Sequence, residues 1–508
     1  FVALAALLLL PLGVFAAQPQ DDQPTLSTDT GSEIQDLGPK KMWGQNEVWA
    51  PRDPAQTWWP FKEKISDISL TAPRVEDMRD DQILIPSVVL LDTCNEAASI
   101  SGLPKELLLK DGEQLQREKG YYLVKIKGST RSDEEVNALQ SAGAILGEYL
   151  PINTYIAMIP SNKLGEVKNL PFVAFVGDYH PAYKISPQIG KVNVPMEELE
   201  RKDWPFELTL HYGADVKEVL NDLAQLGIYP SDEDIVINSV DKNLVTIFVR
   251  TTPDAIPLLA KIDGIKTVGE KTFVRLLASS TQPHWPPMVL QNNGVYTTNT
   301  STGWKLWNIG LKGDASGTAQ IVTMMDSGLS MITYGFSQST TTKGTAGSSH
   351  RKVVGYSAYG SGDLCVCNYT DTNDGGHGTW TSAAAVGGIS NMTTNPDTTH
   401  TPNTFYDAGI APNAKVLFQD INTGSGTSCA AGVSPPSDLT TSISNAIAAG
   451  SYIQNHSWGG TNTYNTYASS IDTSLYSNRN MVVTVSAGNS GPTGTGTVGS
   501  PGTSKNCI

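Results

Sequence analysis

At 508 residues the chain is too long for one ordinary domain and predicts three or four. Fifty acidic against 35 basic residues give a formal net charge of −15, which argues against nucleic acid and anionic membranes as partners. Charge of this kind says nothing about the fold.

Residues Val2 to Phe15 run without a charge and end in Ala16-Ala17-Gln18. An apolar core followed by small residues predicts a secretory signal peptide over 1–17, and the polar, Pro-rich sequence after it argues against a buried helix. The first residue is Phe and no basic leader precedes the apolar run, so the start reads as incomplete. No later run approaches the ~20 apolar residues of a membrane span. A secreted chain places its five cysteines (Cys94, Cys365, Cys367, Cys429, Cys507) in an oxidising compartment. Cys365 and Cys367 are too close to bridge readily to each other, and Cys429, in a Gly/Ser-rich loop of the same domain, is a candidate partner for one of them. A zinc site on the C-x-C pair lacks a second ligand pair at finger spacing.

Residues 18–118 read as a polar, irregular pro-region with four tryptophans, Trp43, Trp49, Trp58 and Trp59. They could form a binding face or anchor an extended segment; no chemistry is assigned to them. An internal repeat follows. Tyr122–Ile126 and Phe206–Leu210 read as equivalent strands, each leading into a capped helix: Ser132 with Glu135, and Asp215 with Glu218. Val136, Leu139, Ala142 and Gly143 recur as Leu220, Leu223, Leu226 and Gly227, and Leu164, Val167 and Leu170 recur as Ile256, Leu259 and Ile262. A second strand pairs Tyr155–Ile159 with Val245–Val249, and Val176-Gly177 returns as Val268-Gly269. Two α+β units of ferredoxin-like pattern, 119–187 and 204–278, are therefore expected, differing by a short insertion before the second strand.

A Ser/Pro-rich linker is predicted at 278–290. Beyond it, apolar runs at 321–325, 416–418, 452–453 and 481–485 alternate with helical patterns at 377–387, 438–449 and 466–477. Buried parallel strands alternating with helices predict an α/β sheet whose sites form at the carboxyl ends of its strands. Three motifs sit at such positions or at a helix start. Asp326 follows a buried strand and precedes Ser327-Gly328, where its plain alternative is to cap the next turn. His377, between Gly376 and Gly378, opens a helix rich in small residues, and the unfavourable dipole there suits a base that rests neutral. Asn489 ends the turn Ser486-Ala487-Gly488 and can donate its side-chain amide to an oxyanion. His456-Ser457-Trp458-Gly459-Gly460 offers backbone groups to an extended peptide, with core packing as the alternative role of the Trp458 ring.

The order Asp, His, amide donor resembles that of the subtilisin-type serine peptidases and differs from that of chymotrypsin and the α/β-hydrolases. The resemblance spans 285–508, most of a catalytic domain, and implies endopeptidase action with Asp326, His377 and Asn489 as catalytic residues. Ser457, Trp458, Gly459, Ala487 and Gly488 would line the substrate. It also implies that the ferredoxin-like units act as folding aid and intramolecular inhibitor. No cofactor is needed for the chemistry; structural calcium is common in the family, and no ligands for it, nor for any other metal, can be assigned here.

The nucleophile has no convincing place before Ile508. Gly502-Thr503-Ser504 matches the family's Gly-Thr-Ser, yet Lys505-Asn506-Cys507-Ile508 follows where a buried helix of small residues belongs. This segment resembles the approach to the next core strand, so the catalytic domain is expected to be cut before its serine and inactive as given. A secreted precursor acting on protein or peptide substrates is the first expectation. A non-catalytic cell-surface or adhesion protein on the same scaffold is the alternative, and a peptidase that keeps the repeats as a permanent interaction module is the third.

Overall fold

A computed structural model describes residues 50–51, 64–68, 71–128, 132–276, 309–315, 318–331, 333, 335–339, 344–359, 376–388, 409–423, 432–489 and 496–508. The predicted signal peptide, the four tryptophans, the 278–290 linker and Cys365, Cys367 and Cys429 lie outside them. Contacts divide the chain into two bodies. One holds the described residues of 278–434 and 449–457; the other holds those of 47–277, 435–448 and 458–508.

Within 18–118, strands β1 (Gln82–Ile85) and β2 (Val89–Asp92) form an antiparallel hairpin. The first repeat then runs β3 (Lys119–Ile126), α1 (Asp133–Ser141), β4 (Ile145–Leu150), β5 (Thr154–Pro160), α2 (Leu164–Lys168) and β6 (Val173–Asp178). The second runs β7 (Trp204–Leu210), α3 (Val216–Gln225), β8 (Ile235–Ile237), β9 (Val245–Thr251), α4 (Ile256–Lys261) and β10 (Ile265–Glu270). The sheets have the orders β4-β5-β3-β6 and β8-β9-β7-β10, all antiparallel, so both copies share the ferredoxin-like strand order. β4 and β8 are additional to the strands legible in sequence. The longer route from α3 to β8 accounts for the changed offset between copies.

Local chemistry explains the helices. Ser132 and Glu135 close a reciprocal capping box on α1, while the Asp215 carboxylate accepts the amides of Lys217 and Glu218 at the start of α3. Strand β3 is buried on both faces: Tyr122, Val124 and Ile126 pack on Leu139 and Val167 beneath the helices, whereas Tyr121 and Leu123 join a core shared with the hairpin and the second repeat. Two-residue periodicity sends alternate side chains to the two cores. After β10 the chain makes a last short strand, β11 (Arg275–Leu276).

In the remaining sequence come β12 (Ile321–Asp326), β13 (Val353–Ala358), α5 (His377–Val386), β14 (Lys415–Asp420), α6 (Thr440–Ala448), β15 (Ile453–His456), β16 (Trp458–Gly459), α7 (Thr466–Ser477) and β17 (Val482–Val485). In the first body β13, β14, β12 and β15 lie side by side in that order, all parallel. β13 is additional to the predicted strands. Val322, Met324, Val353, Val416 and Phe418 bury the sheet against Val386 of α5, leaving the carboxyl ends of the strands to carry polar groups. In the second body Ile508 exchanges backbone hydrogen bonds with β17, to Val483 and from Val485. Ser504 is held in a turn on the carbonyl of Pro501. Among the described residues no helix is long and apolar enough to cross a membrane.

Candidate active site

Asp326 is the last residue of β12 and is fully buried. A buried carboxylate is tolerated only when donors surround it, and three do. The Ser327 amide donates to Oδ1 at 2.7 Å, the Thr381 hydroxyl to Oδ2 at 3.0 Å, and Nδ1 of His377 lies 2.7 Å from Oδ1. With an acceptor on that side, Nδ1 is the ring nitrogen that carries the proton and Nε2 is left as the basic one.

His377 is the first residue of α5 and is only 5% exposed. The Gly-His-Gly pattern has a steric cause. Gly376 caps the helix at φ 85°, a left-handed conformation that other residues adopt at a cost. At Gly378 an added Cβ would lie 2.1 Å from the carbonyl oxygen of Gly328, so only hydrogen lets the helix approach the Asp326 turn this closely. The Gly378 amide donates to Ser327 Oγ at 3.2 Å, joining helix and turn.

Thr381 belongs to no motif that the sequence displays. It stands one helical turn after His377 on the same face, a spacing that could have flagged it. Asp420 and Tyr356 likewise escape a reading of the sequence. Asp420 ends β14 in register with Asp326 and accepts the Tyr356 hydroxyl at 2.8 Å. Burial pushes its carboxyl up to about 7, with the charge of Asp326 adding to the shift and the hydrogen bonds from Asn422 and Tyr356 opposing it. His456, at the end of β15, is driven down to about 3 by burial and so stays neutral.

The structure brings Asp326 and His377 together. Ser457 closes the first body's segment, its hydroxyl accepting the Asn455 side chain at 2.8 Å. Trp458, Gly459, Ala487, Gly488 and Asn489 belong to the second body. There Trp458 is buried with its ring edge-on to Tyr467, while its backbone and that of Gly459 pair antiparallel with Leu276 and Arg275 of β11. Asn489 is exposed, following Gly488 at φ 94°. Among the described residues Cys94 and Cys507 are free thiols. One cluster among them has the makings of a cation site, Asp81, Asp92 and Cys94. It does not suit calcium, because the Arg79 guanidinium already bonds both carboxylates, at 2.8 and 2.7 Å.

An aspartate on a parallel-strand tip, bonded to a histidine that opens the following helix, fixes the tautomer and direction of an imidazole in an α/β sheet protein. Residues 317–508 match the model of the Subtilase family, peptidase S8. Residues 93–180 match a domain of unknown function, DUF8729. A relative is the serine protease/ABC transporter B family protein tagA of Dictyostelium discoideum, 27% identical over 374 residues. That alignment covers 67% of this chain and 19% of the Dictyostelium protein, so the chain spans a minor part of its relative's length. Among solved structures, fervidolysin from Fervidobacterium pennivorans, described as a keratinolytic enzyme related to subtilisin, is 18% identical with a TM-score of 0.32. The match covers 56% of this chain and 40% of that one. The epidermin leader peptide processing serine protease of Staphylococcus aureus is 11% identical with a TM-score of 0.32, covering 56% and 60%.

Proposed function

We propose that the chain is the precursor of a secreted serine endopeptidase whose triad combines Asp326 and His377 with a serine located beyond Ile508. The observation that carries this is the 2.7 Å bond from His377 Nδ1 to a buried Asp326 already holding two further donors. In the reaction the serine hydroxyl attacks the peptide carbonyl while His377 Nε2 takes its proton. The imidazolium so formed is stabilised by Asp326 and returns the proton to the leaving amine. Asn489 and the serine's own amide receive the negative charge that develops on the carbonyl oxygen. Ser504 is not assigned this role, since its hydroxyl is spent on the Pro501 carbonyl at 2.6 Å.

The ferredoxin-like units, 119–187 and 204–278, are proposed as the inhibitory pro-region. Two contacts inside the second body support this. β11, directly after the second repeat, pairs with Trp458–Gly459, the segment expected to bind extended substrate. Glu207 of β7 accepts the amide and hydroxyl of Thr466 at 2.9 and 2.6 Å, placing a carboxylate at the N-terminus of α7.

The test compares residues 1–508 with a longer protein carrying the next part of the reading frame, on casein, with and without a serine-directed covalent inhibitor. Inhibitor-sensitive turnover is expected from the longer protein alone, since losing the serine costs subtilisin ~10⁶ in kcat. Turnover by residues 1–508 that Ser504→Ala abolishes would overturn the assignment. So would a longer protein without a serine in the Gly-Thr-Ser position.

A further inference from the structure

The turn after Asp326 has little regular structure to hold it, yet it sets the direction of the carboxylate. Ser327 is tied down from the segment that follows β14, and Leu329 from β13. The Asn422 side chain donates to the Ser327 carbonyl at 3.1 Å, and the Leu329 amide donates to the Tyr356 hydroxyl at 3.1 Å. Both tethers end on one group. The Asn422 amide donates to Asp420 Oδ1 at 2.9 Å and the Tyr356 hydroxyl to Oδ2 at 2.8 Å.

We propose that Asp420 is a positioning residue for the Asp326–His377 pair, acting through Tyr356 and Asn422 to fix both sides of the Ser327–Leu329 turn. This rests on the serine peptidase proposed above. Asp420 is 2% exposed and stands in register with Asp326 on the adjacent strand, a burial that argues against contact with substrate. A turn free to shift by about an ångström would misdirect the carboxylate and the imidazole it holds, a displacement able to cost on the order of 10²-fold in rate.

Two ionised carboxylates on adjacent strand tips would repel strongly in so buried a place. With Asp420 raised to about 7 it spends much of its time as the neutral acid near neutrality, where it clamps the turn without competing with Asp326 for the imidazole. A side-chain amide keeps both links with the second reversed: its oxygen accepts the Asn422 backbone amide, and its nitrogen donates to the Tyr356 oxygen, as a protonated Oδ2 would in place of the donation from Tyr356 that the carboxylate accepts.

The experiment measures kcat and KM in the longer protein for wild type, Asp420→Asn, Asp420→Ala and Tyr356→Phe. The phenylalanine keeps the ring's packing on Phe418 while removing only the hydroxyl. Asp420→Ala and Tyr356→Phe are expected to lower kcat by about tenfold or more with KM nearly unchanged, and Asp420→Asn to restore most of it. Wild-type kcat in Tyr356→Phe, or an asparagine variant no better than alanine, would overturn the proposal. If the wild type itself shows no inhibitor-sensitive turnover, the peptidase assignment fails separately. The low-field proton signal of the His377 ring N–H then decides: loss in Tyr356→Phe with retention in Asp420→Asn supports the positioning role, and an unchanged signal in every variant overturns it.

Discussion

Gly378→Ala is the sharpest perturbation of the site, because a single methyl group meets backbone rather than a movable side chain. The new Cβ would stand 2.1 Å from the Gly328 carbonyl oxygen and 2.9 Å from its nitrogen, and real Cβ atoms essentially never approach closer than 3.0 Å. Helix α5 and the Asp326 turn must therefore separate by about 0.9 Å, the shortfall from that floor. Applied along the 2.7 Å His377–Asp326 contact, the shift stretches the hydrogen bond beyond a useful length. Overpacking of this kind costs about 1–3 kcal/mol of stability. The loss of alignment should lower kcat by on the order of 10²-fold. Kinetics of the longer protein on a peptide substrate, beside thermal unfolding of the same sample, would check both numbers. A folded Gly378→Ala enzyme with kcat within a few-fold of wild type would refute the claim that close approach at Gly378 sets the dyad.

Thr381→Val removes the hydroxyl donated to Asp326 Oδ2 while keeping the shape, and should cost about 1.5–3 kcal/mol for a bond to a charged group, with Thr381→Ser restoring most of it. Unfolding curves and kcat for the pair of variants would show whether serine rescues. In the first repeat, His180 is pushed from 6.5 down to about 4 by burial, and its Nδ1 accepts the Leu109 amide at 3.0 Å, which only the unprotonated nitrogen can do. The unfolded chain takes up this proton near 6.5 and the folded one near 4, so stability is lost as pH falls through that window. His180→Gln should flatten the slope, and an unchanged slope would exclude His180 as its source. Mass spectrometry of the mature secreted form should place its N-terminus within 278–290; a start inside 119–270 would show the boundary to be misplaced.

Much of the fold and half of the dyad's surroundings are legible in the residues alone, for identifiable reasons. Asp326 announces itself because an apolar run ends abruptly in a charge, and His377 because glycines flank it. The repeat shows through helix positions that must match to fill similar cores. Short edge strands are harder. β4 is half-exposed for most of its length, with Gly147 inside it, and β8 has three residues, so neither gives the alternation a buried strand writes into sequence. β13 contains Gly355 at an irregularity in its pairing, which breaks its pattern too. Tyr356 and Asp420 are hidden for another reason. Their partnership depends on which parallel strands become neighbours and in what register, and a run of residues read alone fixes neither.

The pairing of β11 with Trp458–Gly459 spans only two residues on each side. A ladder so short would have negligible affinity between separate molecules. Being on one chain changes the arithmetic, because a tethered strand meets its partner at an effective concentration on the order of millimolar. Under the function proposed above, a peptide substrate must displace that local competitor for as long as the chain runs unbroken between the two segments. One cut turns the contest into dilution, and the short strand then stays only while the rest of the second repeat keeps hold.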